Sequence, residues 1–128
     1  MKRQNVTSGA PWEERVGYCR AVKKGPFIEV AGTTAMLNGK LQGVGDAYTQ
    51  TKVIIEIMTK AIRELGGDLT DVVRTRMFIT RIEDFEVVGK AHGEYFRDIK
   101  PASTLVEVSA LVHPDMLVEI EMSAIIAE

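Results

Sequence analysis

Two apolar runs late in the chain constrain its fold more than any other feature. Residues 100–108 read Lys-Pro-Ala-Ser-Thr-Leu-Val-Glu-Val, and residues 117–126 read Leu-Val-Glu-Ile-Glu-Met-Ser-Ala-Ile-Ile. Each alternates with the period of two that a strand imposes. Thr104, Val106 and Val108 share one face against Leu105 and Glu107, while Val118, Ile120, Met122 and Ala124 oppose Leu117, Glu119 and Glu121. His113-Pro114-Asp115 breaks the chain between them. Both strands carry carboxylates among apolar neighbours. A solvated antiparallel face tolerates that pattern at no cost, whereas Glu-x-Glu inside an apolar strand also marks a wall that holds water or a polar ligand. Glu121 fits the first reading well; Glu119 fits it less well.

The rest of the chain supplies what those strands pack against. Asp46, after Gly43-Val44-Gly45, is placed to cap a helix, and Ala47, Ile54, Ile57, Met58, Ala61 and Leu65 recur at helical spacing until Gly66-Gly67 ends the run. Residues 72–79 alternate Val73, Thr75, Met77 and Ile79 against Arg74, Arg76 and Phe78, a strand with one greasy and one polar face. A second helix is predicted over about 82–96, with Phe85, Val88, His92 and Tyr95 on one stripe, and Lys100-Pro101 stops the chain before the closing strands. Earlier, the strand-like runs 18–22 and 27–33 are joined by a hairpin turn at Lys23-Lys24-Gly25-Pro26, and Asn38-Gly39 predicts a second tight turn. Residues 1–16 read as irregular, with Trp12-Glu13-Glu14-Arg15 making at most a short turn that covers a neighbour.

The order β-β-(β)-α-β-α-β-β predicts one α+β domain over residues 1–128, a mixed sheet with both helices packed on one face in two layers. The other face is left over. If Arg74, Arg76, Glu107, Glu119 and Glu121 share it with Thr104 or Leu117, it is too mixed for a monomer's solvent side, and self-association is expected.

Composition narrows the function. The chain is 45% apolar and 27% charged, ordinary for a globular domain. A net charge of −2, with lysines and arginines scattered, gives no footprint for a phosphate backbone, so no nucleic-acid partner is expected. Nowhere do eighteen apolar residues run together and no apolar core follows Lys2-Arg3, so a cytoplasmic protein without a membrane partner is expected. Cys19 is the single cysteine, and with only His92 and His113, far apart, no metal site is expected. Gly43-x-Gly45 lacks the third glycine of a dinucleotide turn and the Lys-Ser/Thr of a P-loop, so it reads as a turn, and no cofactor is expected. Neither histidine has a serine or cysteine partner that sequence can identify; core or surface roles suit them.

The closing stretch also carries a resemblance. Pro-Ala-x-Ser/Thr-x-Val-Glu-Val, a break containing Pro, then Val-Glu-Ile-Glu resembles the C-terminal signature of the RidA superfamily, also called the YjgF/YER057c/UK114 family. Gly17-Tyr18-Cys19-Arg20-Ala21-Val22, Ala31-Gly32-Thr33, Glu64-Leu65-Gly66-Gly67-Asp68 and Glu83-Asp84-Phe85 agree in order. The resemblance implies a chorismate-mutase-like fold, a homotrimer, small-molecule clefts between subunits, and hydrolysis of enamine or imine acids. It further implies a cleft tyrosine at Tyr18 and a water-positioning catalytic glutamate at Glu119, and Ser103 or Thr104 from a closing strand is expected to join them in the cleft. The family's substrate-clamping arginine falls on Ser103, which has no charge; a clamped carboxylate would lose a charge-assisted bond of about 1.5–3 kcal/mol. Arg20 and Arg76 are the candidates to supply the missing cation, although an arginine on a strand is often a surface ion-pair residue. Ala31-Gly32-Thr33 departs from the family's usual Ser-Gly-Gln. A member that binds its metabolite without turnover is the alternative reading.

Overall fold

A computed structural model describes residues 1–127. Its elements are β1 (Arg3–Val6), α1 (Pro11–Val16), β2 (Ala21–Lys24), β3 (Phe27–Thr33), β4 (Met36–Leu37), β5 (Lys40–Leu41), α2 (Ala47–Glu64), β6 (Val72–Ile79), α3 (Phe85–Phe96), β7 (Ala102–Glu107) and β8 (Val118–Ile125). Six strands form one sheet in the order β1-β2-β3-β8-β6-β7, and β4 pairs with β5 in a separate ribbon at the Asn38-Gly39 turn. Only β6 and β7 run parallel, because the chain crosses over through α3 between them. The predicted two-layer α+β architecture is therefore the one observed.

The sheet and helices meet on apolar side chains. Ile54, Ile55, Met58 and Ile62 of α2 and Val88 of α3 lie fully buried with Ile28, Ile79, Val118, Ile120 and Met122 of the sheet. Each such side chain taken out of water contributes about 1.5–3 kcal/mol. Asp46 caps α2 as its position predicts: its carboxylate accepts from the Thr49 backbone N–H at 3.1 Å and from the Thr49 hydroxyl at 2.8 Å. Gly66, with φ of 90°, follows the other end. Ile55 and Ile62 join the buried stripe, while Ile57 stays half-buried.

Several local expectations need correction. Residues 1–16 are not irregular: β1 pairs antiparallel with β2, from Arg3 opposite Lys24 to Val6 opposite Ala21. The stretch Arg-Gln-Asn-Val has no apolar alternation to betray a strand, because an edge strand gets its hydrogen bonds from its neighbour rather than its stability from burial. Pro11–Val16 forms a short helix, with proline where its missing N–H costs nothing and Gly17 closing it at φ of 91°. The run 18–22 becomes a strand only at Ala21; before it, Arg20 donates its N–H to the Val6 carbonyl at 2.8 Å and accepts from the Ala31 N–H at 2.9 Å. In α3 the buried residues are Val88, Ala91 and Phe96; Phe85 is exposed, and Tyr95 sends its hydroxyl to Glu56 on α2 at 2.8 Å.

Candidate functional site

The site lies along β8 and its two neighbours. Ile120 and Met122 face the helices, so Glu119 and Glu121 face the uncovered side, opposite Phe78 and Arg76 of β6. On the other flank, the β3–β8 register shifts between Val30 and Thr33, which brings Gly32 against Glu119. A β-carbon built on Gly32 would collide with one Glu119 carboxylate oxygen and lie 3.1 Å from its carboxyl carbon, so a larger residue would displace the carboxylate from this position. Burial raises the Glu119 carboxyl above the usual carboxylate range, the nearby Glu121 charge adds to the rise, and Arg20 opposes it.

Arg20 is held from three sides. Its Nη2 donates to the Gly32 carbonyl at 2.5 Å, its Nη1 lies 3.9 Å from the Glu13 carboxylate, and its guanidinium lies 5.8 Å from the centre of the Tyr18 ring. Its Nε is buried without a partner. Glu13 is itself only 5% exposed and is fixed by the backbone N–H of Ser8 at 3.1 Å and by the Ser8 hydroxyl. Tyr18, Arg20, Gly32 and Glu119 therefore converge, and a carboxyl of raised pKa beside a fixed guanidinium can exchange a proton with a bound water more readily than an ordinary surface carboxylate. Tyr18 and Arg76 also border an open groove of about 390 Å³ shared with Arg3, Glu29, Ala31 and Glu121.

The remaining sequence candidates divide between the two faces of the sheet. Thr104 sits opposite Arg76 on the uncovered face, where it accepts from Arg74 Nη2 at 2.9 Å; Arg76 Nη1 lies 3.9 Å from Glu121. Ser103 points the other way, toward the helices. It pairs with the fully buried Thr75, whose hydroxyl donates to Ser103 Oγ at 2.8 Å and lies 2.9 Å from His92 Nε2 on α3. The His92 ring packs against Phe96 with centroids 4.5 Å apart, and burial holds its pKa below the ordinary histidine value. Within one chain, then, Tyr18, Arg20 and Glu119 come together, Arg76 and Thr104 lie farther along the same face, and Ser103 lies across the sheet from all of them.

Sequence reasoning passed over Glu13, Gly32, Arg74 and the pair Thr75–His92 as site residues. Thr75 left a signal: a hydroxyl on the greasy face of a strand needs a buried partner. Arg74 keeps a buried Nε with no partner, much as Arg20 does. Among the described residues no group of three His, Cys, Asp or Glu could hold a metal ion, and no helix is long and apolar enough to cross a membrane.

Comparison with known proteins places this arrangement. Residues 9–126 match the family described as Endoribonuclease L-PSP. The chain belongs to the RidA (YjgF/YER057c/UK114) superfamily. It is 41% identical over 121 residues to an uncharacterised protein, SCO2049, of Streptomyces coelicolor, covering 94% of this chain and 90% of that one. It is 33% identical over 104 residues to the 3-aminoacrylate deaminase RutC of Acinetobacter baylyi, covering 80% and 82%. The crystal structure of Rv2704 from Mycobacterium tuberculosis, a YjgF/YER057c/UK114 family member, superposes with a TM-score of 0.89 at 40% identity, over 98% of this chain and 100% of that one. Against that family the serine at position 103 stands where the resemblance calls for an arginine.

Proposed function

We propose that this chain assembles as a homotrimer in the cytoplasm, and that clefts between its subunits bind a small metabolite and add water to it, hydrolysing an imine or enamine. The observation that carries the reading is Glu119: a half-buried carboxyl of raised pKa, packed on Gly32 and facing Arg20 beside Tyr18. Ionised, it takes a proton from water as the oxygen attacks the imine carbon; protonated, it returns that proton to the departing amine. A group titrating closer to neutrality serves both halves better than an ordinary surface carboxylate.

The placement of Ser103 supports the assembly. Ser103 and Glu119 lie on opposite faces of one sheet, so any cleft lined by both needs the edge of one copy against the open face of another. The deaminase name of the Acinetobacter relative favours the same chemistry. RNA cleavage is less well supported: the groove beside Tyr18 sets Arg3 and Arg76 against Glu29 and Glu121, and the chain carries a net charge of −2. Binding without turnover is the second reading, favoured by the uncharged Ser103.

Imines generated in situ by amino-acid oxidases, trapped by semicarbazide, test the reading. Faster loss of imine with the protein present, abolished by Glu119→Gln, is the expected result. Saturable binding of the corresponding oxo compounds with no acceleration of any imine would establish the second reading.

A further inference from the structure

The pair of fully buried Thr75 and half-buried His92 has no part in that chemistry, yet it ends on Ser103, which stands where the resemblance calls for an arginine. Thr75 is fully buried and has one proton to give, and Ser103 Oγ at 2.8 Å is placed to take it. With the bond in that direction its oxygen accepts at the 2.9 Å contact with His92, and the proton sits on His92 Nε2. Each hydroxyl in such a chain accepts from behind and donates ahead, and each link strengthens the next. That leaves the Ser103 hydroxyl proton free to donate, and Ser103 is exposed at the second position of β7. We infer that His92, Thr75 and Ser103 form a relay of neutral hydrogen-bond donors whose outer end, the Ser103 hydroxyl, takes the carbonyl oxygen of an uncharged ligand, an amide or ester rather than a carboxylate.

The preference for a neutral ligand follows from what surrounds the relay. It supplies donor capacity without charge, and bringing an anion out of water against uncharged donors leaves much of its solvation unreplaced. No lysine or arginine shares a hydrogen bond with Ser103 among the described residues. The guanidinium of Arg20 is occupied by the Gly32 carbonyl and faces Glu13, Arg76 faces Glu121, and Arg74 reaches Thr104 on the opposite face of the sheet. A neutral carbonyl loses little solvation and gains the whole polarised chain. The ligand class rests on the reading that position 103 lines the cleft; the direction of the relay does not.

Two measurements on the full chain separate those parts. Long-range proton–nitrogen spectra of the 15N-labelled protein report the His92 tautomer, and the Nε2–H form is expected; the Nδ1–H form would reverse every donor in the chain and overturn the relay. Titration with pyruvamide and with pyruvate then reads the ligand class by chemical shift at Ser103. Pyruvamide is expected to bind more tightly, and Ser103→Ala or the isosteric Thr75→Val to weaken it by about threefold to tenfold, the value of one neutral hydrogen bond. Tighter binding of pyruvate, lost in Arg74→Gln, would show that a guanidinium still provides the clamp and would sink the neutral-ligand assignment, as would pyruvamide binding unchanged in both hydroxyl variants. Failure of imine hydrolysis with these shifts intact would remove the proposed reaction and leave the relay standing.

Discussion

Glu119 and Gly32 show at the scale of single residues how a site is cut into an otherwise ordinary strand. The carboxyl is tolerated among apolar neighbours because the opposing β3 residue has no side chain, and the same confinement raises its pKa. The folded chain therefore binds the Glu119 proton more tightly than the unfolded chain does, so ionising it costs stability that is not lost at low pH but is lost as pH rises through the raised value. Glu119→Gln should consequently raise the melting temperature relative to the unsubstituted protein by an amount that grows as pH rises from the ordinary carboxylate range through the raised value, while turnover falls. A difference in melting temperature that stays flat with pH would mean an unshifted carboxyl. Gly32→Ala tests the other half: its new methyl displaces the carboxylate, and catalysis should fall at least as far as in Glu119→Gln, with little loss of fold because the sheet bonds remain. Tyr18 and Glu119 were legible as candidates through the family resemblance, Glu119 also because it interrupts an apolar alternation, and Arg20 because it lies two residues beyond Tyr18. Glu13 was not, since its burial depends on Ser8 and on a short helix that no pattern in residues 1–16 announces.

At the scale of elements, the legible parts are those whose stability comes from an amphipathic period. The α2 helix, β6 and β8 bury one face against the core, so apolar residues recur where the core is. The β1 strand and α1 helix are held by neighbours instead, by β2 and by the Glu13–Arg20 contact, and their sequences need only be compatible. Gln50 shows a third kind of constraint. It sits fully buried in the first turn of α2, donates to the carbonyls of Gly43 and Asp115 at 3.0 and 2.9 Å, and accepts from the Leu117 N–H at 2.9 Å. One amide thus ties the loop before α2 and the entry to β8 to the helix, satisfying three backbone groups, the Leu117 N–H among them buried, where no strand could reach them. Replacing it with leucine keeps the volume and orphans those groups, so Gln50→Leu should destabilise the fold by about 2–4 kcal/mol in urea unfolding. Because Leu117 leads directly into Val118 and Glu119, the same substitution should also loosen the site, seen as faster amide exchange along the start of β8. Unchanged exchange there, with the stability lost, would confine the role of Gln50 to the loop.

The whole molecule raises the question of what covers its open face, which sets Phe27, Val73, Val106 and Ile125, all more than 40% exposed, around a polar centre of Arg74, Arg76, Glu119 and Glu121. Apolar corners around a charged middle suit a symmetric contact that leaves polar clefts at its seams. Light scattering should accordingly report a particle three times the 14.2 kDa of one chain. A monomer at micromolar concentration would separate Ser103 from Glu119 for good, since the sheet lies between them. If the trimer forms, the consequence of the serine can be read directly. Pyruvate's imine, 2-iminopropionate, carries a carboxylate that the family arginine would fix in a bidentate geometry, and here that position offers one uncharged hydroxyl. Loss of the clamp costs orientation as well as binding, so this substrate should be hydrolysed poorly when it is generated by an amino-acid oxidase and trapped by semicarbazide. Ser103→Arg restores the cation at an exposed position with room for the longer chain. It should raise hydrolysis of 2-iminopropionate and weaken any preference for neutral carbonyl ligands, because it replaces the end of the relay with a charge. Full activity in the unsubstituted protein would instead require a cation from elsewhere, and Arg20→Ala, Arg76→Ala and Arg74→Gln would then identify it by which one abolishes the reaction.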